Sequence, residues 1–316
     1  MDEHALIDRI IRPRARARSE VLLGIGDDGA LIAPASGRAQ AVVIDTLVAG
    51  RHFLPEAPAH AIGYKALAVN LSDLAAMGAE PVWYTLALTV PEADPQWLAA
   101  FMDGLVAAGE SSGVALVGGD LTRGPLTVTV QASGQVAAAT ALRRDGARPG
   151  DRVFVSGTLG DAGLGLAVVQ GRVALDPGGS AVCTERLNYP TPRLRLGQAL
   201  AGRAHAAIDI SDGLVADLGH VLRASHVGAR IAASAVPRSQ VLRAYLGDHP
   251  EAWELPFTAG DDYELCVIGG TECLAVAEAA GCPLTEIGEI LAEPGLTIVG
   301  DDGRPQRLKG QGWRHF

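Results

Sequence analysis

Short apolar runs rich in β-branched residues alternate along this chain with longer stretches of helical periodicity, and no other feature restricts the fold as much. Strand-like runs stand at AVVIDT (41–46), VWYTLALTV (82–90), GVALVGG (113–119) and LTVTVQASGQV (126–136), with helical patterns over about residues 59–77 and 95–112. That rhythm predicts an α/β fold. The polar, turn-rich RRDGARPGD (143–151), with its Pro-Gly, is the best boundary, so an N-terminal domain is expected over 1–142 and a C-terminal domain over 143–316. The second part restarts with RVFVSG (152–157), continues with a helix from about 161 to 170, and carries apolar runs at HAAIDI (205–210), YELCVI (263–268) and GLTIVG (295–300). With 316 residues, 48% of them hydrophobic, the chain is long and apolar enough for two such domains.

The formal net charge of −10 argues against nucleic acid as a main partner, because phosphate backbones are bound by clustered Lys and Arg. The one basic run, RPRARAR (12–18), reads first as a solvated helix end and second as a contact for an anionic substrate. Cys183, Cys266, Cys273 and Cys282 show no C-x-x-C spacing, so they read as buried or idle thiols in a reducing compartment. The acidic opening MDEHALIDRII is unlike a signal peptide, and no apolar run approaches membrane-spanning length, so a cytoplasmic protein is expected.

Carboxylates recur where the apolar runs stop. GIGDDGA (24–30) holds Asp27 and Asp28; Asp45 follows VVI, Asp73 lies in NLSDLAAMG, Asp120 in VGGDLTRG, and Asp209 and Asp212 in IDISDG. Strand ends in α/β sheets gather on one rim, so these acids are expected to converge there. Convergent carboxylates repel unless a cation lies between them, and hard oxygen ligands without His or Cys suit Mg²⁺, which usually brings phosphates with it. The glycines of GIGDDG, VGGD and SGTLGDAG (156–163) fit a backbone that approaches phosphate closely, with Asp161 at a helix start. Taken singly, Asp27, Asp161 and Asp212 read as turn or capping residues, and SDLAAMG as a helix start capped by Ser72 or Asp73. Recurrence favours a divalent-metal site, and the residues by themselves lead no further.

Taken together, GIGDDGA, NLSDLAAMGAEP, VGGDLTRGP, IDISDGL and GDDYEL resemble the thiamine-monophosphate kinases, over nearly the whole chain from Gly24 to Trp313. Single motifs are shared with other ATP-using members of the superfamily, such as aminoimidazole ribonucleotide synthetase, selenophosphate synthetase and a hydrogenase-maturation protein. DTLVAGRHF with YKALAVNLSDLAAMGA narrows the resemblance to the kinase. It implies a mixed N-terminal sheet with helices that pairs two subunits in a homodimer, a C-terminal α/β domain, and ATP bound between the domains. It also implies the transfer of phosphate from ATP to thiamine monophosphate, giving thiamine diphosphate. Carried over by motif, Asp28, Asp45, Asp73, Asp120 and Asp209 are expected to ligate Mg²⁺, with Asp212 holding a further ion. Asp28, Asp73, Asp120 and Asp209 would thereby serve catalysis, while Gly119, Asp120, Arg144 and Ser211 would touch ATP. His52, Asp261 and Trp313 would meet thiamine monophosphate. No nucleic-acid or membrane partner is implied.

Two positions depart from the family pattern: Val43-Ile44 stand where the family usually has Ser-Thr, and Asp261 where it often has Glu. The first removes two hydroxyls from the neighbourhood of the metals; as β-branched residues in a strand, the pair reads as an extension of the core. The alternatives to a kinase are another ATP-dependent synthetase of the superfamily, or a nucleotide-binding regulator without catalysis.

Overall fold

The computed structural model describes residues 7–16, 18–23, 31–32, 35–310 and 312–313; the GIGDDGA stretch, with Asp27 and Asp28, lies outside them. The chain divides into two compact units, Met1–Leu74 with Ala79–Ala138, and Ala75–Gly78 with Ala139–Phe316.

The first unit contains a short pair, β1 (Val21–Leu23) and β2 (Leu31–Ile32), and a four-stranded sheet. The sheet consists of β3 (Ala39–Val48), β4 (Glu80–Val90), β5 (Ala115–Arg123) and β6 (Thr127–Val136), in the order β3-β6-β4-β5. Helix α1 (Ala59–Ala76) links β3 to β4, and α2 (Pro95–Gly109) links β4 to β5. Asp94 starts α2 by accepting the N–H groups of Gln96 and Trp97, with Pro95 in the first turn. Both crossovers step in the same direction across the sheet, so right-handed connections put both helices on one face. The burial pattern agrees. Tyr84, Leu86, Leu88, Val128, Val130 and Ala132 are buried on the helix side. The alternate positions of β3 point away from it, with Val42 60% and Ile44 64% exposed. Half-covered sheets show this period-two alternation.

The second unit is built on a seven-stranded mixed sheet in the order β13-β12-β9-β11-β7-β10-β8. Its strands are β7 (Arg152–Ser156), β8 (Ala206–Asp209), β9 (Gly228–Ala232), β10 (Leu265–Gly269), β11 (Leu284–Leu291), β12 (Gly295–Val299) and β13 (Pro305–Gln306). Every residue of β8 and β10 is buried, as are the last four of β7, so the β7-β10-β8 end of this sheet is covered on both faces. On one side α6 (Leu214–Ser225) lays Leu214, Leu218, Val221 and Leu222 against Val155, Ile208, Cys266 and Ile268. Helices α3 (Asp161–Val169), α4 (Pro177–Asn188), α5 (Leu194–Leu200), α7 (Gln240–Asp248), α8 (Leu255–Thr258) and α9 (Glu272–Ala279) complete the unit. Among the described residues, no helix is long and apolar enough to cross a membrane.

Candidate active site

In the second unit the β8–β10 ladder continues past the strand ends and fastens the two acidic loops together. After Leu265 pairs with Asp209, Ile210 donates to the Glu264 carbonyl at 2.8 Å, Tyr263 to that of Ile210 at 2.8 Å, and Asp261 to that of Ser211 at 2.8 Å. IDISDG and GDDYEL are therefore one structural object. The C-terminal segment joins it. Glu254 accepts the N–H groups of Lys309 and Gly310, and Trp313 donates its N–H to the Asp212 carbonyl at 2.9 Å, leaving the indole 43% exposed. Arg144 is exposed on the same unit, close enough to His220 for its charge to act on that imidazole. Burial and the Arg223 and Arg144 charges lower the His220 pKa, while Asp212 works against them. Five residues singled out from the sequence, Asp209, Ser211, Asp212, Asp261 and Trp313, are thus brought together here, with Arg144 nearby.

In the first unit the reading of the acids as strand-end residues needs correction. Asp45 lies in the middle of β3, opposite Val130, and Asp120 in the middle of β5, opposite Ala87. Both strands continue because LVA and LTR keep the apolar-in alternation after the acid, and an edge strand tolerates a carboxylate. Asp45 projects from the helix side of the sheet, whereas exposed Asp120 projects from the open side. Their backbones stand on opposite edge strands, about 14 Å apart at the usual strand spacing. Asp73 is in neither a strand nor a helix start: α1 begins at Ala59, so Ser72 and Asp73 lie near its C-terminal end. Gly119 permits β5 to press against β4, since a Cβ there would stand 1.9 Å from the Leu86 carbonyl oxygen. The Nδ1 of His52 accepts the Val48 N–H at 3.0 Å, which places the ring proton of the neutral form on Nε2. The reading of Val43-Ile44 as core extension is corrected for Ile44, which is on the open face.

Several residues that hold the site escaped the sequence reading. Buried Asp217, in the first turn of α6, accepts the N–H groups of Ser211, Asp212 and Gly213 on one oxygen, at 3.0, 3.0 and 3.1 Å. An acid soon after a loop at a helix start is its sequence signal, a relative of the capping box. Burial, and after it the charges of Asp209 and Asp212, push the Asp217 carboxyl up to about 8. Asp262 is buried and accepts the Gly160 N–H with both oxygens, at 3.0 and 2.9 Å. Asp261 and Tyr263 on either side of it adopt left-handed φ values of 67° and 49°. A tyrosine there is strained by about 1–3 kcal/mol, so the surrounding bonds must enforce the conformation.

Among the described residues, no group of three or more His, Cys, Asp or Glu side chains forms a ready metal cluster. The donor chemistry nevertheless suits a hard cation. The acids at issue are carboxylates, and after burial, which is the larger cause, the charges of Asp209 and Asp212 add to the upward shift of Asp217. A divalent cation there would relieve that repulsion.

Comparison with known proteins identifies the family. The family profile "AIR synthase related protein, N-terminal domain" matches residues 26–136, and its C-terminal-domain counterpart matches residues 148–301. The chain is 45% identical to the thiamine-monophosphate kinase of Salmonella typhimurium, over 99% of this chain and 98% of the relative. The crystal structure of thiamine-monophosphate kinase from Stenotrophomonas maltophilia K279a superposes with a TM-score of 0.87 at 46% identity, covering 97% of this chain and 98% of that one. The complex of AaThiL with AMPPCP and TMP gives a TM-score of 0.80 at 32% identity, with 99% and 97% of the two chains covered.

Proposed function

The chain belongs to the thiamine-monophosphate kinases, within the AIR synthase-related proteins, and from that membership we infer how its residues carry the reaction. It uses ATP to phosphorylate thiamine monophosphate to thiamine diphosphate. The observation on which our assignment of roles rests is the direct hydrogen bond between the Asp261 N–H and the Ser211 carbonyl. It puts a residue assigned to substrate beside one assigned to the nucleotide.

The acceptor is a phosphate monoester whose second pKa is about 6, so the attacking oxygen is already mostly ionised at neutral pH and needs no general base. That agrees with a site rich in acids and poor in His. The remaining task is to bring two polyanions together in line. Mg²⁺ held here would supply the charge neutralisation that such a transfer needs. The residues that would hold it in this reading are Asp209 and Asp212 in the second unit and Asp45, Asp73 and Asp120 in the first, where Asp45 and Asp120, on opposite faces of the sheet, would serve different ions; Asp28 lies outside the described residues. Arg144 adds a permanent cation for the ATP phosphates, and the backbone at Gly119 and Ser211 gives the nucleotide a close approach. His52 offers Nε2–H to a phosphate oxygen of the substrate. The Trp313 indole and the Asp261 carboxylate suit the cationic thiazolium and aminopyrimidine rings of thiamine, by cation–π contact and charge. A second copy of the chain covers the open sheet face that carries Val42 and Ile44, forming a homodimer.

The test is a reaction of the protein with Mg-ATP and thiamine monophosphate. Thiamine diphosphate and ADP are expected in equal amounts, and no labelled protein when γ-³²P-ATP is supplied without thiamine monophosphate. Absence of product would overturn the assignment, and a trapped phosphoenzyme would overturn direct transfer.

A further inference from the structure

The loop that carries Asp261 is held more firmly than its length requires. Asp262, buried at its centre, binds the Gly160 N–H with both oxygens, and the backbone on either side is tied to Ser211 and Ile210. This clamp holds Asp261 and Tyr263 in left-handed conformations, φ 67° and 49°. The Tyr263 ring is 8% exposed, so the phenol is packed in place, and its hydroxyl donates to Asp261 Oδ1 at 3.1 Å. A fixed donor on one carboxylate oxygen selects the direction in which the whole group points.

We propose that Tyr263 is a positioning residue for substrate recognition, its hydroxyl holding the Asp261 carboxylate in the orientation that meets the cationic heteroaromatic substrate. The proposal rests on the reading of Asp261 as a substrate contact. It accounts for a bulky aromatic residue kept in a backbone conformation that ordinarily belongs to glycine. The bonds that enforce the strained conformation hold the hydroxyl beside Asp261, which pre-forms one side of the site before the substrate arrives.

Three variants of the full chain test it: Tyr263→Phe, Asp261→Asn and the double variant. Each is compared for the Kd of thiamine monophosphate by titration calorimetry with AMPPCP present, for kcat, for the KM of ATP and for Tm. Tyr263→Phe deletes one oxygen, so its Tm should stay close to that of the parent chain. Its Kd for thiamine monophosphate should rise about 3- to 10-fold, the size of one ordinary hydrogen bond, because the effect reaches the substrate only through Asp261, with kcat and the KM of ATP within about twofold. Asp261→Asn should raise the same Kd at least as much, and the double variant should be no worse than Asp261→Asn alone. An unchanged Kd in Tyr263→Phe, with a raised one in Asp261→Asn, would overturn the proposal and leave the reading of Asp261 standing. An unchanged Kd in Asp261→Asn would overturn both. A fall in Tm with loss of kcat and of affinity for both substrates in Tyr263→Phe would reduce the tyrosine to a structural role, and overturn the proposal.

Discussion

Glu264 follows the strained pair directly and is wholly buried, yet it remains a carboxylate. It accepts bonds from Ser156 Oγ at 2.6 Å, from Arg186 at 2.8 Å and from both arms of Arg193 at 2.6 and 2.5 Å. Gly157 makes room for it, since at φ 55° a Cβ there would lie 2.1 Å from Glu264 Oε1. Burial alone would raise the Glu264 pKa, but the Arg193 and Arg186 charges and the Ser156 hydroxyl outweigh it and hold the group below its ordinary 4.5. A folded-state value below the unfolded one means that the stabilisation is fully present above pH 4.5 and is lost as the pH falls through the lower folded value. Glu264→Gln should therefore cost about 3 kcal/mol at pH 7, by leaving two guanidinium groups without their counter-charge, and should flatten the acid limb of the stability curve. Urea unfolding at pH 7 and pH 4 checks this, and equal stability of the two proteins at pH 7 would contradict it. None of this network was legible in the sequence. The arginines lie 78 and 71 positions away, and nothing in GDDYEL distinguishes buried Asp262 from partly exposed Asp261. The ladder register makes that distinction.

At the level of elements, the strands and helices of the first unit were readable because period-two and helical patterns alternate cleanly there. The expected helix over 59–77 is found as Ala59–Ala76, and the run at 82–90 as Glu80–Val90. The placement of the acids was less readable. Periodicity shows where an apolar run ends but not how far hydrogen bonding continues, so Asp45 and Asp120 lie inside strands whose ladders outlast the apolar stretch. In the second unit IDISDG and GDDYEL stood out as separate motifs, and only the pairing of β8 with β10 joins them. Strand β3 raises a further point, because two large apolar side chains stand on its outer face, Val42 at 60% and Ile44 at 64% exposure. Two large exposed apolar side chains side by side on an open sheet face suit the proposed contact with a second copy. If two copies pair through this face as proposed, the parent chain sediments as a dimer and Ile44→Lys as a monomer, with the helix-side core untouched. A variant that sediments as the parent chain does would remove this face from the interface.

For the whole molecule the governing fact is charge. A chain of net charge −10 handles ATP and thiamine monophosphate, both anionic, and the residues singled out for the task are mostly carboxylates. In the proposed mechanism divalent cations offset this charge, and they are what the account has to demonstrate. The most direct measurement counts those ions. Mn²⁺ substituted for Mg²⁺ is titrated by electron paramagnetic resonance in the presence of AMPPCP and thiamine monophosphate, for the parent chain and for Asp209→Asn, and thiamine diphosphate formation from ATP is followed in parallel. The account predicts that Asp209→Asn folds, loses at least one bound Mn²⁺ per chain and forms product about 10²-fold more slowly or worse. A folded Asp209→Asn protein with the same Mn²⁺ count and the same rate as the parent chain would contradict it.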